Sequence, residues 1–103
     1  MAEWTRIGTT NEVAPGCGKV FEVGEKKIAV FNVGGAFYAI DNTCLHRGGP
    51  LGEGMLEGTT VTCPWHGWQY DCRTGQNLMS ESFRVKSYML ENRGDELYVD
   101  LGD

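Results

Sequence analysis

The sequence predicts an all-β protein, and three observations carry that prediction. Short runs rich in Val, Tyr, Phe and Thr recur along the chain, glycine supplies 15 of the 103 residues, and no segment keeps the 3.6-residue apolar period of an amphipathic helix. Two halves of so short a chain would each be too small to bury a core. We therefore expect a single domain spanning residues 1–103.

The first 41 residues contain four predicted strands. The run Trp4-Thr5-Arg6-Ile7 begins the first strand, and residues 19–23 form the second. Residues 27–33 and 36–40 flank the pair Gly34-Gly35. Because paired glycines supply the positive φ of a tight turn, this pattern is typical of a β-hairpin.

The second half is divided by a glycine-rich segment between Thr43 and Gly58, which we predict to be a structureless loop ordered by something other than its own apolar residues. Strands are predicted at 59–62 and 68–71, and Gly75 marks the turn that follows. A last hairpin is predicted from 84–90 and 96–101 around a turn at 92–95.

Charge and hydropathy exclude two classes of partner. The formal charge of −5 and the pI near 4.9 argue against nucleic acid, whose binders carry basic patches. The longest apolar runs are far shorter than the roughly 20 residues of a membrane span, and the first residues lack a signal-peptide pattern. We expect a cytoplasmic protein, where four cysteines favour metal binding or burial over disulfides.

Cysteine and histidine occur together twice, at Cys44-Leu45-His46 and at Cys63-Pro64-Trp65-His66, and these are the only two histidines in the chain. A tetrahedral zinc site could use the same four ligands. However, zinc modules usually place two cysteines in one loop and two histidines in the other, so the mixed loops here fit zinc poorly. A site without metal would leave the glycine-rich loop with nothing to order it.

The two motifs, extended to Cys44-Leu45-His46-Arg47-Gly48-Gly49 and Cys63-Pro64-Trp65-His66-Gly67-Trp68-Gln69-Tyr70-Asp71, resemble the cluster-binding boxes of Rieske proteins. The resemblance implies a Rieske fold of antiparallel sheets, with a β-sandwich base at 1–41 and 83–103 and a small cluster-binding subdomain at about 42–82. It also implies one [2Fe–2S] cluster per chain, with Cys44 and Cys63 on the inner iron and His46 and His66 on the outer iron.

Differences from the high-potential members of that family predict a low-potential centre. The positions of their loop-linking disulfide correspond here to Gly49 and Trp65, and Trp68 stands where they place a serine hydroxyl near a bridging sulfide. Tyr70 matches the tyrosine that they place near a cysteine sulfur, and Gly48, Gly49 and Gly67 would let backbone N–H groups approach the cluster. With fewer donors to sulfur we expect a potential of roughly −150 mV.

By the same resemblance, the chain is expected to be a soluble electron carrier and not an enzyme. Such ferredoxins take electrons from a flavin-dependent NAD(P)H reductase and pass them to a terminal oxygenase, of the kind that serves bacterial aromatic dioxygenases. We expect transient contacts with both partners and a monomeric carrier. Two alternatives are the small subunit of an assimilatory nitrite reductase and a zinc-stabilised binding module.

Four further residues carry weaker expectations. Trp65 and Trp68 flank His66, and we expect both to pack the loop onto the sheet, the alternative being that one helps a partner to dock. Cys17 and Cys72 are expected to be buried apolar fillers.

Overall fold

The computed structural model describes residues 4–45, 48–65 and 67–101, and it contains nine strands and two short 3₁₀ turns. Within these residues there is no α-helix, and no helix is long and apolar enough to cross a membrane. All of the strand pairings are antiparallel. The prediction of an all-β fold with antiparallel sheets is confirmed.

The larger sheet contains six strands in the spatial order β1-β9-β8-β4-β3-β2. Its strands are β1 (Trp4–Thr9), β2 (Gly18–Val23), β3 (Lys26–Val33), β4 (Ala36–Asp41), β8 (Ser87–Arg93) and β9 (Glu96–Asp100). The β4–β8 pairing that joins its two halves is short, with Ala39 opposite Tyr88 and Ile40 opposite Ser87. The strands of this sheet come from residues 4–41 and 87–100, so the segment between them, which contains Cys44 and Cys63, lies outside the sheet.

The central hairpin of this sheet forms where the paired glycines predict it. Gly34 and Gly35 have φ of 59° and 99°, which is the left-handed backbone that a tight hairpin turn requires. They connect β3 to β4 and bring Val33 opposite Ala36. The prediction of this hairpin is confirmed.

Strand β3 is buried on both faces, which explains its continuous apolar run. Ile28 and Val30 lie in one cluster, the base core, while Ala29 and Phe31 lie in a second, the inter-sheet core. The alternation follows from the two-residue period of a strand. Burying each large side chain stabilises the folded state by roughly 1.5–3 kcal/mol, so β3 contributes to the stability of both cores.

The smaller sheet contains β5 (Met55–Glu57), β6 (Thr60–Thr62) and β7 (Gln69–Asp71) in that order. It lies within residues 42–82, and the division of the chain into a base and a cluster-binding subdomain stays a prediction. The inter-sheet core includes Val61 and Tyr70 from this sheet, so the small sheet and β3 share one set of buried contacts.

The prediction of a structureless loop between Thr43 and Gly58 is wrong. This segment contains a 3₁₀ turn at Leu51–Glu53 and strand β5, which pairs with β6. Leu51 is fully buried, and it anchors the turn in the inter-sheet core. A Cβ at Gly54 would overlap the carbonyl oxygen of Thr62, so this glycine allows the chain to lie close to β6.

The last hairpin is shifted along the chain from its predicted position. Its turn is the pair Gly94-Asp95 alone, because Arg93 already pairs with Glu96 across it. Val85, predicted to be in the strand, is instead buried in the inter-sheet core, where its N–H donates to the Gly75 carbonyl at 2.9 Å. Because the Val85 side chain is buried in this core, β8 begins at Ser87 and not at the predicted residue 84.

Candidate metal centre

Cys44 and Cys63 are brought together at the edge of the inter-sheet core. Cys44 follows β4 of the larger sheet and Cys63 follows β6 of the smaller sheet, and both are buried, with exposures of 1% and 2%. Burial raises the pKa of the Cys63 thiol; a hydrogen bond from the Trp65 backbone opposes this, and contact with the Cys44 thiol raises it further. Two distant segments therefore place two sulfurs side by side.

The first loop turns tightly around Cys44. Gly48 donates its N–H to the Cys44 carbonyl at 2.8 Å, and the Cys44 N–H donates to the Gly49 carbonyl at 3.0 Å. Gly48 has φ of 74°, so this turn needs the left-handed backbone that glycine adopts easily.

Gly49 is required for a different reason, which is space. A Cβ at this position would lie 2.7 Å from the Cys63 sulfur and 3.0 Å from Cγ of Trp65. The backbone of the first loop thus lies directly against the sulfur of the second loop. Gly49 therefore allows the backbone to lie close to a cysteine sulfur, while its approach to a cluster stays a prediction.

The second loop closes between Cys63 and Trp68, where the Cys63 N–H donates to the Trp68 carbonyl at 2.7 Å. Gly67 within it has φ of 76°. The Trp65 backbone lowers the pKa of the Cys63 thiol, as a backbone N–H near the sulfur does. Such donors stabilise negative charge on a thiolate.

The predicted histidine ligands, His46 and His66, lie outside the described residues. Among the residues that are described, no group of three or more His, Cys, Asp or Glu side chains forms a metal site. Each histidine is two or three residues from its cysteine in sequence. The assignment of the four ligands Cys44, His46, Cys63 and His66 therefore stays a prediction.

Tyr70 connects the small sheet to the first loop. Its side chain is fully buried, its hydroxyl oxygen lies 3.5 Å from the Cys44 Sγ, and this oxygen accepts the Leu45 N–H at 3.2 Å. Burial raises the pKa of Tyr70 to about 12, with a further contribution from Cys44. The phenol is therefore protonated at neutral pH, and the expected placement of Tyr70 near a cysteine sulfur is confirmed.

Asn77 holds a third loop, residues 76–83, behind Tyr70. Its Oδ1 accepts the N–H groups of Met79 at 2.6 Å and Ser80 at 3.0 Å, and its backbone forms an isolated bridge with Tyr70. Asn77 is 3% exposed, and its Nδ2 has no acceptor within hydrogen-bond distance among the described residues. No sequence pattern marks this residue, since a single Asn near a turn is common.

These observations fit a [2Fe–2S] cluster. The buried thiols of Cys44 and Cys63 are suited as soft ligands to iron–sulfur centres, and a side chain at Gly49 would clash with the Cys63 sulfur. Trp65 N–H and the Tyr70 hydroxyl can each donate to a ligand sulfur. The donor set and the space around it agree with the predicted cofactor.

For the two tryptophans and the two remaining cysteines, some expectations are confirmed and others are wrong. Trp68 is half-buried and packs against the inter-sheet core, as expected, and it also stacks on Phe83 with ring centroids 5.3 Å apart. Trp65 is 50% exposed, so the expectation that it packs onto the sheet is wrong. Cys72 is fully buried as expected, whereas Cys17 is exposed in a groove of about 660 Å³.

Comparison with known proteins agrees with this geometry. The family model described as the Rieske [2Fe–2S] domain matches residues 3–89. The ferredoxin component of biphenyl 2,3-dioxygenase from Rhodococcus jostii is 36% identical over 98 residues, which cover 94% of this chain and 92% of that protein.

Two solved structures share the fold. A ferredoxin bound to its oxygenase in carbazole 1,9a-dioxygenase matches with a TM-score of 0.84 and 31% identity, over 94% of this chain and 92% of that one. A structure assigned as an NADH-dependent nitrite reductase small subunit from Mycobacterium tuberculosis matches with a TM-score of 0.91 over 100% of this chain and 98% of that one. Its identity of 18% shows a common fold alone. The chain belongs to the Rieske [2Fe–2S] domain family.

Proposed function

We propose that Cys44 and Cys63 ligate one iron of a [2Fe–2S] cluster and that His46 and His66 ligate the other. The support is the contact between the two buried thiols, together with the position of each histidine two or three residues after its cysteine. When bound, the cluster accepts and releases one electron. One chain supplies all four ligands, so a monomer suffices.

The groups around the sulfurs determine how strongly the reduced cluster, which carries one more negative charge, is stabilised, and they thereby determine the reduction potential. The Tyr70 hydroxyl oxygen lies 3.5 Å from the Cys44 Sγ, and the Trp65 backbone lowers the pKa of the Cys63 thiol. As donors to thiolates, both groups would stabilise negative charge on the sulfurs. Trp68 supplies no hydroxyl at the position where high-potential members have a serine. We therefore propose a low potential, of roughly −150 mV.

We further propose that the chain is the ferredoxin component of an aromatic ring-hydroxylating dioxygenase system. It would carry electrons from a flavin-dependent NAD(P)H reductase to a terminal oxygenase, acting in the cytoplasm and catalysing no reaction itself. The observation that carries this proposal is the 36% identity to the biphenyl dioxygenase ferredoxin, which extends over nearly the whole of both chains. The carbazole system adds a relative whose ferredoxin is seen on its oxygenase.

The exposed residues beside the predicted histidines suit brief contacts with both partners. Leu45 precedes His46, Trp65 precedes His66, and each of the two apolar side chains is 50% exposed. Aromatic and aliphatic residues of this kind are enriched at the centres of interfaces. We propose that reductase and oxygenase use this same face in turn, which requires both complexes to be short-lived.

The cluster assignment is tested on the purified protein by assays of iron and sulfide, visible absorption, EPR after reduction and a coulometric count of electrons. We expect two irons, two sulfides and one electron per chain, with a Rieske EPR signal. A colourless protein that binds zinc, or a chain that takes up no electron, would exclude the proposed cluster.

The partner assignment is tested by supplying NADH, a flavin reductase and the terminal oxygenase of a biphenyl-type system. We expect product only when the ferredoxin is present. Trp65→Ala should slow electron delivery roughly tenfold without changing the cluster content. Met89→Ala is the matched control, because Met89 is equally apolar and 68% exposed but lies on β8 of the larger sheet.

A further inference from the structure

Three exposed lysines lie together on the larger sheet without a carboxylate partner. Lys26, Lys27 and Lys86, the lysine patch, form no ion pair within the described part of the chain, whereas four of the other five described basic side chains do. The fifth, Arg84, donates to the Thr74 carbonyl at 3.3 Å. Because like charges repel, such a cluster lowers the stability of the fold unless an outside group of opposite charge binds to it.

Tyr88 fixes the position of two of these charges. The Lys26 Nζ lies 5.7 Å from the centroid of the Tyr88 ring, and the Lys86 Nζ lies 5.2 Å from the same centroid. Tyr88 is half-buried on β8, and an ammonium over an aromatic ring is attracted by the negative charge of its face. The lysine patch therefore has a defined place on the surface, although lysine side chains are long and flexible.

The lysine patch borders the segment that leads to Cys44. The Lys86 carbonyl accepts the Asp41 N–H at 2.8 Å, and the Lys27 carbonyl accepts the Asn42 N–H at 3.0 Å. Thr43 follows, and together with Lys26 and Lys27 it lines an open pocket of about 330 Å³. A protein that contacted the lysine patch would thus lie next to the first loop.

The Cγ2 of Thr43 is also 3.8 Å from the position that a Cβ of Gly48 would occupy. Thr43 therefore lies beside the turn that encloses Cys44, and the pocket and the first loop form one continuous surface.

The charges in this pocket indicate the kind of partner. Two carboxylates, Glu25 and Asp41, share it with the lysines, and the Asp41 Oδ1 accepts the Thr43 N–H at 3.3 Å. Three ammonium groups against two carboxylates leave a positive region on a chain whose formal charge is −5. Separate ammonium groups on long stems suit carboxylates spread over a protein surface, whereas a compact anion is typically held by an Arg fork or converging N–H groups.

We propose that the lysine patch binds carboxylates on the surface of a protein with which the chain exchanges electrons, and that it orients this partner beside the first loop. The inference rests on the proposed carrier function. Its physical content is a local attraction opposite in sign to the repulsion that the net charge of −5 exerts on the same acidic partner.

The test measures two steps by stopped-flow spectroscopy, namely reduction of the holoprotein by the flavin reductase and its reoxidation by the terminal oxygenase of a biphenyl-type system. In at least one step, the second-order rate constant of the parent should fall as salt is added. Lys26→Gln combined with Lys86→Gln should lower that constant about three- to tenfold at low ionic strength and flatten its salt dependence. Cluster content and midpoint potential should equal those of the parent.

Arg6→Gln combined with Lys19→Gln is the matched control, because it also removes two positive charges from exposed positions. Arg6 and Lys19 are already paired with Glu96 and Glu12, at 3.0 and 3.1 Å, and lie outside the lysine patch. We expect rate constants close to those of the parent. Glu25→Gln tests the sign of the effect, since removing a carboxylate from the pocket should increase the rate constant.

A second readout uses the unmodified chain and so does not depend on the folding of any variant. A carbodiimide joins a lysine amine to a carboxylate that it contacts, and mass spectrometry then locates the linked residues. We expect the lysines of the lysine patch to be linked to Asp or Glu residues of the partner, and high salt should suppress the linkage.

Three results would overturn the inference. One is equal slowing by the two double variants, which would make net charge the cause, and another is a rate constant that salt leaves unchanged in both steps. The third is cross-linking of the partner without any linkage to the lysine patch. A parent chain that holds no reducible cluster would remove the proposed carrier function first, whereas a parent that carries electrons at the same rates as its variants would remove this inference alone.

Discussion

Gly49 of the first loop lies directly against the sulfur of Cys63 in the second, so closely that a Cβ would stand 2.7 Å from that sulfur. The two loops are thus in contact through a position that tolerates no side chain. We predict that Gly49→Ala displaces Cys63 and lowers the cluster content, measured as iron and sulfide per chain. Gly58→Asn is the control, because Gly58 has no atom within 4 Å of its Cβ position and Asn tolerates its φ of 61°. Full cluster content in Gly49→Ala would contradict this close contact.

Tyr70→Phe should lower the reduction potential. The variant removes only the hydroxyl that lies 3.5 Å from the Cys44 sulfur, and a donor to sulfur stabilises the more negative, reduced state. If the hydrogen bond favours the reduced state by about 1 kcal/mol, the potential falls by about 40 mV. A redox titration followed by EPR measures the change. Tyr98→Phe on β9 is the control, because it removes a hydroxyl that donates to Glu96 at 3.2 Å in the larger sheet, and it should leave the potential unchanged. A fall of the same size there would point to a general effect.

The two faces of β3 should respond differently to substitution. Phe31→Leu changes the inter-sheet core that contains Cys44 and Cys63, whereas Val30→Ala changes the base core on the opposite face. Each should lower the free energy of unfolding by about 1–3 kcal/mol, measured by urea denaturation. Only Phe31→Leu should also alter the visible spectrum or cluster retention. Equal effects of both variants on the cluster would show that the cores are not separate.

Asp71→Asn should destabilise the protein at neutral pH and less so in acid. The Arg73 side chain, at 2.9 Å from the Asp71 carboxylate, lowers the pKa of Asp71 through hydrogen bonding, against the opposing effect of burial. Because the folded pKa is lowered, the stabilisation is present above the ordinary pKa of Asp and is lost as the pH falls below about 4.

The measurement is the difference in unfolding free energy between Asp71→Asn and the parent at pH 7 and at lower pH. Arg73 is largely exposed, so we expect a difference of no more than about 1 kcal/mol at pH 7. Glu22→Gln, at an exposed position on β2, controls for the loss of one negative charge. A difference that stays constant with pH would show that Asp71 acts by packing alone.

The features that the sequence could predict are those determined locally. Gly34-Gly35 marks the central hairpin because a tight turn needs positive φ at adjacent positions. Cys44 and Cys63 are each followed by a histidine two or three residues later, so these pairs can also be recognised from the sequence alone.

What could not be predicted depends on contacts between distant residues. Strand β5 exists because Gly54 allows the chain close to Thr62, and no local pattern reveals that approach. Asn77 lies opposite Tyr70 through a backbone bridge outside the named strands, and no local pattern predicts that pairing. Cys17 is exposed because its segment borders an open groove, although a free cysteine is usually buried.

The two thiols also determine how the chain depends on its supply of iron. Cys44 follows a strand of the larger sheet and Cys63 a strand of the smaller one, so the metal would cross-link the two sheets across a segment rich in glycine. Ordering such a segment costs more backbone entropy than ordering most others. If Cys44 and Cys63 hold iron as proposed, metal binding would contribute directly to folding of the small sheet. The protein without iron would then be less stable as well as unable to carry an electron.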